Sequence, residues 1–450
     1  MSVRFHEGAD PAFAHDGGTG GSGSAGAKLA GIATGPLRVG LSTADITPEG
    51  PAWLAGFAAR KEVSRGVHRN LTATCVIFDN GETRVAFVAL DILWILEKQL
   101  EGLRAAALRA GIPPQHLMIN FSHTHYAPGI GDERNEAYAR LFQARTEPLF
   151  QAAADDLQPA ALDYTVGSCT MAINRRQLDA EGKINFRPDP RKPIDPDVPI
   201  LRVLSPEGKV RAVLFGYACH PTSIGNVEEW FLVNTDYPGY ARDWIAAAYP
   251  GCQPVFLQGC GAEIKPRYTR PDESGYGRYE YVLIDPLGTL AELGHELGRA
   301  VVSALMVPPE PVPANRSPIL SEAVATPIPL GGIVERVEIA HKNPEKPAHR
   351  IHMGAWRVGD VMVFGSQGEI GTQIGMRIKR EHQGQRVWTN GYTHWGGGYL
   401  MDAASYPGGG YEIEVSGIGP WGEDIVAGNA RRYATALMAG QGGLGPIPEP

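Results

Sequence analysis

The chain has 450 residues, 43% of them hydrophobic and 20% charged, with a formal net charge of -8. That length supports one large core or two ordinary ones, and the acidic balance argues against nucleic acid or an anionic membrane as the main partner. Five cysteines without Cys-x-x-Cys spacing read as reduced thiols, and no uninterrupted apolar leader precedes them, so a soluble, cytoplasmic protein is expected.

In chain order, residues 1–35 have a Gly/Ser-rich centre, "GGTGGSGSAG", and read as a flexible arm. A single domain is expected over 36–441, with a short tail at 442–450. "LRVGLSTADITP" is a strand running into a turn. "TATCVIFDNGETRVAFVALDI" places two β-rich runs around Asp-Asn-Gly, a hairpin signal. "EKQLEGLRAAALRAGIPP" has helical spacing of Leu and Ala, a glycine stop and prolines beyond it. "HLMINFSHTH" returns to strand character, and "PILRVL", "VRAVLFGYA", "PVFLQG" and "DVMVFG" read as further strands. "TLAELGHELGRAVVSALM" and "IVAGNARRYATALMAG" read as helices, while "RPDPRKPIDPDVP" and "PPEPVPANRSP" read as surface loops. The alternation predicts an α/β fold, a mixed β-sheet core flanked by helices. No internal repeat is visible, and no apolar run is long enough for a transmembrane segment.

Chemistry concentrates at strand ends. In "NFSHTHYAPG", His123 and His125 are two apart, so an extended backbone would point both to one face, at the end of a sheet where sites form. Imidazole is a common zinc ligand, and His-x-His is one way to begin a metal site. His220 ends the apolar run "VRAVLFGYA" in the same way. Asp236 can orient one imidazole through its second nitrogen, or cap the helix expected in "YPGYARDWIAAAY". "GHELGRA" resembles a His-Glu-x-x-His zinc signature, but Arg299 stands where the second histidine belongs, leaving His295 a helix residue. No Gly-x-Ser-x-Gly elbow is present.

The order of "ADIT" (Ala44–Thr47), "SHTH" followed by Pro-Gly, "HPTS" (His220–Ser223) and "QGEI" (Gln367–Ile370) resembles the catalytic domain of neutral ceramidases, from about Leu37 to about Gly440. The resemblance implies a zinc amidohydrolase with one Zn²⁺ per chain, held by His123, His220, Glu369 and a tyrosine. Tyr399, Tyr406, Tyr411 and Gly419-Pro420 reproduce the family's spacing and make Tyr399 the ligand-type tyrosine, with Tyr392 as its rival. Glu369 also sits where a helix N-terminus would welcome a carboxylate. The domain is expected without the immunoglobulin-like C-terminal domain that family members often add.

The same resemblance implies roles around the metal. His125 would shuttle the proton to the leaving amine, and Tyr399 would stabilise the oxyanion. Arg175, Tyr126 and Trp395 would meet the substrate. The family's Gly-Asp-Val-Ser-Pro segment aligns with "GAEIKP", so Glu263 replaces aspartate and Lys265 replaces the proposed catalytic serine, while Tyr126 and Ala127 replace smaller residues. The expected reaction is hydrolysis of a small N-acyl amide unlike ceramide, driven by metal-activated water. The alternatives are an ester or lactone on the same site, or an acyl- or lipid-binding relative without turnover. Oligomeric state is left open.

Overall fold

A computed structural model of the chain describes residues 37–225, 227–267, 270–271, 279–280, 285–306 and 328–441. The expected N-terminal arm, the second proline-rich loop and the C-terminal tail lie outside those residues. The hairpin read from Asp-Asn-Gly forms: Thr72–Asp79 and Arg84–Leu90 pair antiparallel, with Asp79 opposite Arg84. Gly81 takes φ +88° at the turn, where a side chain would be strained, and the Asp79 carboxylate accepts from the Gly81 N–H and from Arg84 Nε, each at 2.7 Å. The helix that follows, Glu97–Arg109, buries Leu100, Leu103, Ala106 and Ala107 along one stripe and stops before Gly111 at φ +78°.

One arrangement then recurs three times among the described residues. Two antiparallel pairings lead to a third strand, a helix crosses over, and a fourth strand returns parallel to the third. The first unit uses Arg38–Asp45, Thr72–Asp79, Arg84–Leu90, helix Glu97–Arg109 and Leu117–Phe121. The second uses Ala161–Ser168, Asp197–Leu204, Val210–Tyr217, helix Tyr237–Ala248 and Gln253–Gln258. The third uses Leu330–Ile339, His349–Val358, Val361–Ser366, helix Thr372–Glu381 and Arg386–Asn390. The sequence shows no repeat because only the connectivity recurs. A parallel return requires a crossover, and a helix supplies it each time.

The inner faces of the three sheets share one core, with Val39, Phe78 and Phe87 from the first, Leu201, Leu214 and Leu257 from the second, and Val334, Trp356 and Val363 from the third. Helices cover the outer faces, so neighbouring residues such as Ile77 and Phe78 are both buried on opposite sides. The expected mixed-sheet α/β architecture is what forms. At its centre the fourth strands meet. The Asn120 amide donates to the carbonyls of Gln258 at 3.2 Å and Gly391 at 3.0 Å and accepts from the Gln258 N–H at 2.7 Å, tying the three units together at the ends where their parallel strands finish.

No helix among the described residues is long and apolar enough to cross a membrane. All five cysteines are buried and unpaired.

Candidate metal centre

The loops leaving those strand ends carry the candidate residues. His123 follows strand Leu117–Phe121, His220 follows Val210–Tyr217, and Glu369 follows Val361–Ser366, so each unit sends one group to a common point. The extended His-x-His geometry is corrected here: the strand ends at Phe121, and His123 has φ +63°. The two rings still meet, with centroids 5.0 Å apart, and His220 lies 5.0 Å from His123. The other non-glycine residues at positive φ among those described are Asp236, Tyr392 and His394. Each such conformation costs about 1–3 kcal/mol, and such strain collects at functional sites.

Hydrogen bonding fixes the imidazoles. His123 Nδ1 donates to the Leu93 carbonyl at 3.1 Å and His220 Nδ1 to the Gly261 carbonyl at 2.7 Å, so the proton of each neutral ring is on Nδ1. Each Nε2 therefore carries a lone pair, and both face Glu369 Oε2, at 3.4 Å and 2.9 Å. Lone pairs crowding a carboxylate repel one another unless a cation or a proton lies between them. Burial raises the Glu369 carboxyl, and only positive charge or a donated proton from His123 and His220 beside it brings it well below the usual carboxylate range. Burial, with Arg175 next, pulls His220 down to about 4.

His125 completes the cluster. Its ligand atom and those of His123 and His220 lie within 4.8 Å of one another, and both of its ring nitrogens are buried with no hydrogen-bond partner. Burial first, and then the two neighbouring histidines, hold it well below its ordinary value. Two imidazoles oriented by backbone carbonyls and a carboxylate, with a third imidazole alongside, fit a divalent metal of zinc type.

The two tyrosines part company. The Tyr392 ring is 4.5 Å from His123, but its hydroxyl lies 3.4 Å from His220 Nδ1, the nitrogen already committed to Gly261. Tyr399 pairs in register with Glu369 across the short strands Glu369–Ile370 and Tyr399–Leu400, and its hydroxyl accepts from Arg175 at 3.1 Å. Arg175 is buried and ion-paired to Glu412 at 2.8 Å. The guanidinium of Arg175 and the ammonium of Lys265 both lie over the half-exposed Phe186 ring, 4.6 Å and 5.5 Å from its centroid.

Several expected roles are corrected. Asp236 touches neither imidazole, whose second nitrogens go to carbonyls; it caps helix Tyr237–Ala248 and accepts from the Ser223 N–H at 2.8 Å and hydroxyl at 2.6 Å, holding the loop after His220. Tyr126, expected at the substrate, is fully buried, and its hydroxyl is used in both directions by the Ile224 backbone. Trp395 is part-buried and donates its indole N–H to His352 at 3.1 Å, which does not bear on its expected contact with a substrate. The helix-capping alternative for Glu369 passes to Glu263, whose carboxylate accepts from the Thr372 N–H at 3.1 Å. His295 packs against Trp244 on helix Pro286–Met306, as its decoy status implied.

Sequence reading missed Glu412 and Gly56. Glu412 bridges Arg175 and Arg176 from more than 200 positions away. Gly56, at φ +95°, leaves room for the His125 ring: a Cβ there would lie 2.3 Å from His125 Nδ1. Neither carries a local motif.

No family model matches the chain. It is 22% identical to the neutral ceramidase of Pseudomonas aeruginosa over 472 aligned positions, covering 86% of this chain and 70% of that protein. Its fold is similar to the crystal structure of neutral ceramidase from Pseudomonas aeruginosa, with a TM-score of 0.71 at 18% identity over 92% of this chain and 76% of the other. A ceramidase structure complexed with C2 is similar at TM-score 0.69 and 18% identity, over 92% of this chain and 77% of the other.

Proposed function

We propose that this chain, a divergent relative of the neutral ceramidases, is a zinc-dependent hydrolase of an amide (N-acyl) bond in a small molecule. The observation that carries the reading is the convergence of the His123 and His220 Nε2 lone pairs on the Glu369 carboxylate. His123, His220, Glu369 and Tyr399 would hold one Zn²⁺. The chemistry zinc supplies when bound is Lewis acidity toward a carbonyl and a water.

The chain's own groups do the rest. His125, kept neutral by burial, takes a proton from the attacking water and delivers it to the leaving amine. Arg175 fixes the Tyr399 oxygen beside Glu369, where Tyr399 would meet the developing oxyanion. Lys265 and Arg175, over Phe186, form the substrate side, where a lysine instead of serine favours an N-acyl compound other than ceramide.

A panel of N-acyl amides and matching esters, offered to zinc-loaded protein, tests this. Amide cleavage is expected, with kcat lowered about 10²–10⁴-fold in His125→Ala while the metal stays bound. Full activity in His220→Ala would sink the proposal.

A further inference from the structure

The strand Ala172–Leu178 has two working sides. Arg175 turns to Tyr399, whereas its neighbours Asn174 and Arg176 line a separate cavity of about 460 Å³. That volume falls in the range of small-molecule sites, about 300–1,000 Å³.

The cavity wall carries both signs of charge. Arg176 is 2% exposed. Its terminal nitrogens bond Glu412 and the carbonyls of Ser405 and Gly409, but its Nε–H is buried with no acceptor. Lys192, half-buried, lines the same cavity, and among the described residues no carboxylate lies within ion-pair distance of it. Two carboxylates also line the wall. Glu263 accepts from the Thr372 backbone N–H and Asp402 from the Ser405 hydroxyl at 2.8 Å, and neither has an ion-pair partner among the described residues.

We propose that this cavity is a second small-molecule site, built for a zwitterion of amino-acid type, with the ligand carboxylate on Lys192 and its ammonium on Glu263 and Asp402. A purely anionic or purely cationic ligand would leave one side of the wall unanswered, which is how such a wall discriminates. The cavity wall is tied to the Arg175–Tyr399 pair, because Arg175 and Arg176 each take one oxygen of Glu412, at 2.8 Å and 2.6 Å. The inference uses no feature of the hydrolase reading and stands or falls apart from it.

Calorimetric titration of the full chain tests it, with glycine, L-serine and L-glutamine as probes. Each is compared with its amide, which lacks the carboxylate, and its N-acetyl derivative, which lacks the ammonium. Saturable binding of at least one zwitterion is expected, about tenfold or more tighter than either derivative. Lys192→Ala and Asp402→Asn should each weaken it by about tenfold or more, with circular dichroism unchanged. Failure of all three amino acids to bind at millimolar concentration would overturn the proposal. So would binding that survives both substitutions, or that disappears only in His220→Ala, which would move the ligand to the histidine cluster.

Discussion

At the scale of single residues, tautomer and clearance organise the site. Two backbone carbonyls set the protons on His123 and His220, and one glycine lets His125 approach. Gly56→Ala is therefore expected to push His125 out of line and lower kcat while metal content holds, a split that paired kinetics and elemental analysis would show. Lys265 makes a pH prediction. Burial, with Arg175 next, pulls its ammonium from 10.5 down to about 7. Between those values the unfolded chain holds more protons than the folded one, so this group adds stability as pH rises from about 7 toward 10.5, and its full cost is present below 7. Lys265→Met should lose that slope, measured as urea midpoints across the same window. His123 and His220 stood out in the sequence because His-x-His and His-Pro follow apolar strands, whereas Glu369 was reached only through the family resemblance of its segment. Glu412 was not, because its meaning lies in two arginines far away in the chain.

At the scale of elements, local signals did most of the work. The Asp-Asn-Gly hairpin and helix Glu97–Arg109 formed as read, since turn chemistry and apolar spacing act within a few residues. What spacing could not show was which caps and contacts the elements exchange. Glu263, not Glu369, caps helix Thr372–Glu381, and that choice frees Glu369 for the histidines. Helices Tyr237–Ala248 and Pro286–Met306 pack so closely that a Cβ on Gly294 would lie 2.3 Å from the Tyr240 Cβ and 2.6 Å from the Tyr237 carbonyl oxygen. Gly294→Ala should thus cost about 1–3 kcal/mol of stability, read by denaturant unfolding; a neutral result would contradict the close packing.

At the scale of the whole molecule, three units of like connectivity share one core and present their strand ends to one point. That repetition is invisible in the sequence because only the connectivity of the strands and helices recurs. Asn120 is its knot. Removing its amide leaves buried groups of Gln258 and Gly391 unpaired, so Asn120→Ala is expected to destabilise the protein by about 1–3 kcal/mol in thermal unfolding. The same convergence explains why residues from three distant segments can share a metal.

The most direct test of that claim is metal content per chain, by mass spectrometry on purified protein after zinc loading and removal of excess, wild type beside His220→Ala. About one tightly held zinc per wild-type chain, lost in the variant, is the outcome the geometry predicts. Wild-type protein that retains no metal would contradict the account and leave the histidine cluster without its central chemistry.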